Sequence, residues 1–484
     1  MKTIIIWLLS VVISLSLCLL PVTSAEAEST ITVTTTADVV ATDGQCSLRE
    51  AVLAANTDSA TGDCPAGSGA DTIVFSSSLP APAIILLTLT GANEDNAATG
   101  DLDLSGILAI QGESADRIII DGNGTDRVFE IRPGATVVVS GVTIRNGNPG
   151  SGAGGGGILV SGGAPRAKLT LVNSAVLNNT AVNGGGIQNL GNGATAIIEN
   201  SWINSNAAST MGGGIANSGT LTILNSTFDQ NQARTGGGID HAGFSMNLTN
   251  VTFSSNQASD DGGGIYNRAD AIFLNVTLTG NIADGPETGG NIFNDSGSLA
   301  IRNSIVANSE ADGNCFNSEG LINSRGHNLE SGDTCGFAAA GDQVNLDPLL
   351  DDLASNGGGT LTHALLAGSP AIDAGDDTNC PGTDQRGYSR PFDGDGNGTA
   401  VCDIGAFEFD GIPPTATVPP DDTSTPTLTP TSSDTETSTP TATLSAVTAS
   451  PTPPPTPAPP TPPCGSAVAL VIAGFLLIRL RFRG

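Results

Sequence analysis

Along residues 212–239, GGGIANSGTLTILNSTFDQNQARTGGGI, apolar side chains alternate with small polar ones at Leu221 and Ile223 and return at Phe228, with Asn225-Ser226 between. Period two with β-branched and apolar residues predicts short strands that bury one face. The segment opens and closes on the same four letters, and that return is periodic. Isoleucines closing a glycine run or its degenerate copy are Ile158, Ile187, Ile215, Ile239, Ile265 and Ile292, at spacings of 24 to 29 residues. Two asparagine series keep phase with them: Asn173, Asn200, Asn225, Asn250, Asn275, Asn303, and Asn179, Asn206, Asn231, Asn256, Asn281, Asn308. A fixed period of this size is the signature of a solenoid. Glycine supplies corners with positive φ, and asparagine is the next cheapest residue there. Strand and corner repeated at this interval predict an all-β right-handed parallel β-helix whose identical residues stack at about 4.8 Å, so that asparagines form a side-chain ladder. A disordered Gly/Asn-rich chain would not keep Leu, Ile and Phe in register with those series.

The two ends follow other patterns. The opening MKTIIIWLLSVVISLSLCLLPVTSAEAEST carries one lysine, a long apolar run and then Ala25-Glu26-Ala27, which predicts a secretory signal peptide cut after Ala27. Cys18 follows Leu17 rather than a small residue and reads as part of the apolar run. From 411 to 463 the chain holds 16 prolines and 16 threonines in 53 residues, so no packed core can form and an extended stalk is expected. The stalk leads into CGSAVALVIAGFLLIRLRFRG, apolar from Ser466 to Ile478 and closed by Arg479, Arg481 and Arg483. That run falls short of the roughly 20 residues a spanning helix needs, although its arginines can snorkel. The basic flank predicts a cytoplasmic C-terminus.

Charge narrows the partners. The chain carries 48 acidic and 17 basic residues, and Lys168 is the single lysine between the leader and the tail. Such a surface repels phosphate backbones and excludes nucleic acid as a partner. An exported chain can hold disulfides, and Cys46 with Cys64, Cys315 with Cys335 and Cys380 with Cys402 stand 18, 20 and 22 residues apart in separate regions. Local pairing is the expectation among the 15 connectivities six cysteines allow, since none has the short spacing of a zinc site.

Three stretches resemble known families. CSLREAVLAAN at 46–56, followed by Cys64 and DTIVF, resembles the CSLREA domain at the N-terminus of bacterial surface β-helices. SRGHNLESGDTC, NLDPLLDDLASNGGGTLTHALLAGSPAIDAGDDTNC, DQRGYSRP and CDIGAFEF together resemble the choice-of-anchor Q domain, whose name refers to alternative surface-sorting tails. GGGI with FDQN and FSSN is similar to the repeats of chlamydial polymorphic outer-membrane proteins, many of them adhesins. The expected organisation is a signal peptide (1–27), a CSLREA-type cap region (28–100), β-helix repeats (101–325), a choice-of-anchor-like C-terminal cap (326–410), a stalk (411–463) and an anchor or sorting tail (464–484). Residues 46–56 read as a short amphipathic helix with Leu48, Val52, Leu53 and Ala55 on its apolar face, suited to covering the open end of the solenoid. The disulfide-bearing 315–410 region would close the other end. At the tail, Cys464-Gly465-Ser466 resembles the start of a processed sorting signal; a plain membrane anchor is the alternative.

β-Helices include polysaccharide lyases and hydrolases, so catalysis needs its own residues. A hydrolase needs two or three carboxylates from adjacent coils, and a lyase needs clustered aspartates with a basic residue. Asp229, Asp240, Asp260 and Asp261 occupy unlike positions in their repeats, and no catalytic or cofactor-binding residue is assigned. His241 reads as a surface loop residue, and His327 and His363 as structural hydrogen-bonders. Asp393, Asp395 and Asn397, with Gly398 next, resemble the first half of an EF-hand loop, completed by Asp403 as a candidate calcium site. DGNGTD at 121–126 has a similar composition. The expectation is a cell-surface β-helix with a structural or adhesive role toward extracellular glycans or matrix, held at the membrane by its tail. The alternative is a lyase or hydrolase acting on acidic glycans.

Overall fold

The computed structural model describes residues 28–414 apart from 92, 93, 192, 286, 287 and 310–312. The signal-peptide, stalk and tail expectations, with Ala25, Ala27, Cys464, Gly465 and Ser466, lie outside the described residues. Among the described residues no helix is long and apolar enough to cross a membrane.

The chain winds into a right-handed parallel β-helix built from a 20-stranded, a nine-stranded and a five-stranded sheet. Its register follows the isoleucine series: Ile158, Ile187, Ile215, Ile239, Ile265 and Ile292 pair in succession, with Phe129 before them and Cys315 after. All six isoleucines are fully buried. In the long sheet the alternation seen at Leu221 and Ile223 places both inside, while Thr220, Thr222 and Leu224 point outward. Phe228 and Phe253 stack at 4.8 Å, the spacing of neighbouring strands.

The glycine run has two separate reasons. Gly212 has φ +63°, and a Cβ on the next residue, Gly213, would lie 2.4 Å from the Gly237 carbonyl oxygen and 2.5 Å from the backbone of Gln232. One glycine turns the corner, and its neighbour lets successive coils touch through backbone alone.

Asparagine likewise does two jobs. Asn173, Asn200, Asn225, Asn250, Asn275 and Asn303 all have φ between 48° and 54°, so this series turns corners in the left-handed region. The second series is the buried ladder: Asn179 Nδ2 donates to Asn206 Oδ1 at 3.0 Å, and the chain of amides continues through Asn231 and Asn256 to Asn281 at 3.0, 2.8 and 2.8 Å. Its next rung is not Asn308. Asn281 donates instead to Asn291 at 2.8 Å, and Asn291 to Asn314 at 3.0 Å. Asn291 replaces the third glycine of the run Gly289-Gly290-Asn291-Ile292 and reaches the same rung across the corner, while Asn308 is exposed with φ 54°.

The helix α1, Leu48–Thr57, is capped by Ser47 and Glu50 in a reciprocal capping box. It packs on Ser29–Val33, Ala70–Phe75 and Leu102–Leu104, at the start of the two larger sheets. Its buried face is Leu48, Ala51, Val52 and Ala54 together with Arg49 and Glu50; Leu53 and Ala55 are only half-buried. Arg49 pairs with Asp38 at 2.6 Å and donates to the carbonyls of Ala97 and Gly100, so a charge pins the helix to the first coils. Parallel pairing extends beyond 101–325 in both directions, from Ser29 to Val344.

The segment after Val344 corrects the end-cap expectation. It runs back along the flank of the long sheet, against an outward threonine row: Thr227 Oγ1 donates to the Leu361 carbonyl at 2.6 Å, Thr252 Oγ1 to Gln385 Oε1 at 2.7 Å, and the Ala406 amide to Thr277 Oγ1 at 3.0 Å. Those hydroxyls give an irregular chain partners at each coil, which an end-on position would not. Ile305, Ala307, Leu329, Leu365, Ala371, Ile404 and Phe407 form a second small core beneath it. Disulfides join Cys46 to Cys64 and Cys315 to Cys335, each with Cα atoms 4.8 Å apart, and Cys380 to Cys402 at 6.5 Å.

Candidate functional site

In the nine-stranded sheet the first and third residues of each strand point inward, leaving the middle residue on the outer side. Stacking turns these middle residues into one row. It starts with Asp103 and Glu130, passes Asp240, and ends with Tyr266, Phe293 and Phe316 in register. The three rings stack at 5.0 and 5.3 Å, and the Arg268 guanidinium lies 5.0 Å from the Tyr266 ring centre. Arg268 also pairs with Asp240, which accepts from Thr235 Oγ1 at 2.7 Å. Burial raises the Asp240 carboxyl against the opposing pull of Arg268.

Beside the aromatic end of this row, the turns of successive coils border a shallow, open groove of about 520 Å³. Gly243, Gly297 and Gly320 line it together with Phe244, Arg268, Asp270, Glu319 and Leu321. Phe244 and Leu321 are 59% and 57% exposed, large apolar side chains that the core does not use. Asp270 and Glu319 are exposed carboxylates of the same groove, so it offers both apolar surface and two acids.

At the other end, adjacent coils bring Asp101, Asp103 and Glu130 together, with one oxygen of each within 4.8 Å of the others. Burial pushes Asp101 up to about 8, opposed by Arg127, and Asp103 to about 6, opposed by the Ala97 amide that donates to it. Arg127 lies 3.1 Å from Asp101 and 3.0 Å from Glu130; Arg132 lies 2.6 Å from Glu130 and 3.6 Å from Asp103. A divalent cation would have to share these oxygens with two arginines. The Asp103 side chain is 1% exposed, out of reach of a polymer. Sequence reasoning missed this cluster because it looked for repeated acids, and these belong to single coils. The signal was the alternation of acids with Leu102, Leu104, Phe129 and Ile131.

The candidate calcium loop is rearranged. Asp373, 20 residues upstream, joins Asp393 and Asp395, again with oxygens within 4.8 Å. Asp403 is committed elsewhere: its carboxylate accepts from the amides of Asp373 and Phe409 at 2.7 and 2.5 Å. Burial and the neighbouring Glu408 raise its carboxyl. Asn397 spends its amide on Asp395 at 2.7 Å and its carbonyl on Thr399 N at 2.9 Å, holding the turn itself. Asp121 of DGNGTD accepts from Arg145 at 2.7 Å and Asn146 at 2.9 Å and is likewise occupied.

His241 is no surface residue. It is fully buried in the strand Ile239–His241 and takes a rung of a further amide ladder, where Asn217 Nδ2 lies 2.8 Å from His241 Nδ1. Asn189 precedes this rung, donating to Asn217 at 2.7 Å, and Asn267, Asn294 and Asn317 continue beyond it at 2.7 Å each. Nδ1 accepts, so Nε2 donates to the Asp270 carbonyl at 3.2 Å, and burial lowers the ring's basicity. His327 Nδ1 meets the Ala374 carbonyl at 2.8 Å. His363 lies 3.0 Å from Ser254 Oγ and 2.7 Å from the Asp351 carbonyl; Ser254 is 3% exposed, which makes the pair a clasp for the flanking segment. Asp229 pairs with Asn204 at 2.9 Å, and Asp260 with Arg234 at 2.7 Å. Asp261 lies at the strand end, aligned with Thr235.

Residues 250–268 match the family model of the Chlamydia polymorphic membrane protein repeat. This single repeat contains Asn250 at a corner, Phe253 in the core, Asn256 in the ladder, and the run closed by Ile265. A comparison with curated proteins returned no match. Among solved structures, a crystal structure of pectate lyase Pel9A is similar at 15% identity over 70% of this chain and 88% of that one, with a TM-score of 0.38. The fold defines a disulfide-bonded β-helix protein.

Proposed function

We propose that this protein is an exported surface β-helix with a structural or adhesive role, and that it binds neutral extracellular glycan in the groove beside Phe244. The observation that carries this reading is the groove itself: a glycine-bearing trough with the exposed Phe244 and Leu321 beside Arg268, Asp270 and Glu319. Sugars offer an apolar C–H face to an aromatic side chain and hydroxyls to flanking charges. A chain of net charge −31 disfavours acidic polymers, which points to neutral ones. The disulfides and the surface-protein repeat support export. A stalk over 411–463 and a tail over 464–484 would hold the rod at the cell surface, within the domain scheme set out above. Calcium held by Asp373, Asp393 and Asp395 belongs to the same set of proposals.

A second reading rests on Asp270 and Glu319, two carboxylates in one groove, as acid and base of a glycan hydrolase. Both stand in open solvent, whereas a hydrolase closes its reacting carboxylates away from bulk water. A glycan array run beside a reducing-sugar and unsaturated-product assay separates the readings. Binding without turnover, weakened at least tenfold by Phe244→Ala, is expected. Turnover abolished by Asp270→Asn or Glu319→Gln would reverse the order, and absence of both binding and turnover would remove the groove from the function.

A further inference from the structure

We infer that the outer face of the first half of the long sheet, whose end at Ser298 and Leu321 borders the groove, is an interface with a second copy of this chain. Ten consecutive parallel strands, from Ala70–Phe75 to Leu321–Ser324, form this face. Each presents two or three outward residues. The central column runs from Thr72 to Asn323 through threonine, alanine, valine, isoleucine and asparagine alone.

The charge pattern is the informative part. In a chain with 48 acidic residues, the outward strand positions of this face carry one acid, Glu199, and two bases, Lys168 and Arg302. Three of the large apolar side chains left exposed, Ile107 at 56%, Ile272 at 56% and Leu321 at 57%, also lie on it. In the later coils the second half of the same sheet packs against residues 345–411 through the threonine row, so this sheet already serves for packing there. Two copies of net charge −31 repel each other on approach except where acids are absent.

The dimensions fit a dimer. Ten strands at about 4.8 Å and five residues at about 3.3 Å give roughly 800 Å² of flat sheet. A stable interface takes about 800 Å² from each partner. Two such faces would stack about 10 Å apart as the layers of a sandwich do, and a shared patch of this kind closes with two-fold symmetry.

Sedimentation equilibrium of the full chain tests the proposal, with the tail common to every chain compared. The wild type is expected to dimerise at micromolar concentration, more strongly at about 0.5 M than at about 0.05 M salt, because salt screens the repulsion between like charges. Thr170→Glu with Ile272→Glu should weaken association at least tenfold with an unchanged far-ultraviolet circular dichroism spectrum. Ser209→Glu, on the five-stranded sheet, should leave it intact. If the double variant does not fold, Ile272→Glu alone, at a largely exposed position, carries the test. A monomeric wild type, association weakened by salt, or a dimer indifferent to the face variants would overturn the inference.

Discussion

The middle coils and the N-terminal coils bury polar groups of different chemistry. From Asn179 to Asn291 the ladder that runs through the coils is built of neutral amides, each donating to the next rung and to a backbone carbonyl. Around residues 97–132 the polar groups are ionisable: Asp101, Asp103 and Glu130 against Arg127 and Arg132. A repeated position must suit the copy of itself above and below. An amide does, because it is donor and acceptor at once, whereas a carboxylate stacked on a carboxylate repels. A buried charge therefore stands where its neighbours in the stack are not copies of it, as at Asp240, which lies between Ala216 and Tyr266 and pairs with Arg268.

The largest expected effect breaks the neutral region. Asn231→Ala removes the acceptor of the Asn206 amide and a donor to the Ile203 carbonyl, both fully inside. Each orphaned buried group costs about 1–3 kcal/mol, so a loss of about 3–5 kcal/mol is expected in urea unfolding. A loss below about 1 kcal/mol would mean that the rung is filled by water.

A smaller effect separates the two regions by pH. Asp101, raised to about 8 in the folded chain from an ordinary 3.8, keeps a proton that the unfolded chain releases. The stability this gives is complete below pH 3.8 and is lost as pH rises to about 8; Asp103, raised to about 6, acts in the same sense. A tenfold difference in proton affinity between the folded and unfolded chains corresponds to about 1.4 kcal/mol, and relaxation of the arginines takes part of it. Asp101→Asn should flatten the fall in stability between about pH 4 and pH 8 by roughly a few kcal/mol. Parallel curves for variant and wild type would assign the charged cluster no cost.

The smallest effect asks whether His241 is merely a substitute rung. Asparagine at this position would restore the ladder between Asn217 and Asn267, so His241→Asn should change stability by less than about 1 kcal/mol. The buried ring is held neutral below its ordinary 6.5, so the wild type should lose stability as pH falls through and below 6.5. The variant should lack that acid-side loss. An unchanged acid limb in the variant would move the pH response to another group.

Much of the fold was legible because the repeat makes each contact appear several times. Gly-Gly-Gly-Ile, the corner asparagines and Asn179 to Asn281 each recur at the period, and recurrence is how stacking shows in one dimension. Asn291 was missed because it enters the rung from a glycine position, and His241 because nothing in its own neighbourhood distinguishes a buried rung from a loop. The local disulfide pairs were readable from spacing. The charged contacts were not: Arg49 and Asp38 lie 11 residues apart on different elements, and Asp373 meets Asp393 only through the folding of the flanking segment.

The sequence by itself determined the solenoid, its period, its corners and the neutral ladder, since each depends on residues one coil apart seeing copies of themselves. Only the tertiary structure decided where 345–411 lies, which carboxylates meet, and which sheet face stays bare. Those features rest on single contacts between distant segments, such as Thr252 with Gln385, and a contact made once leaves no periodic trace in the chain.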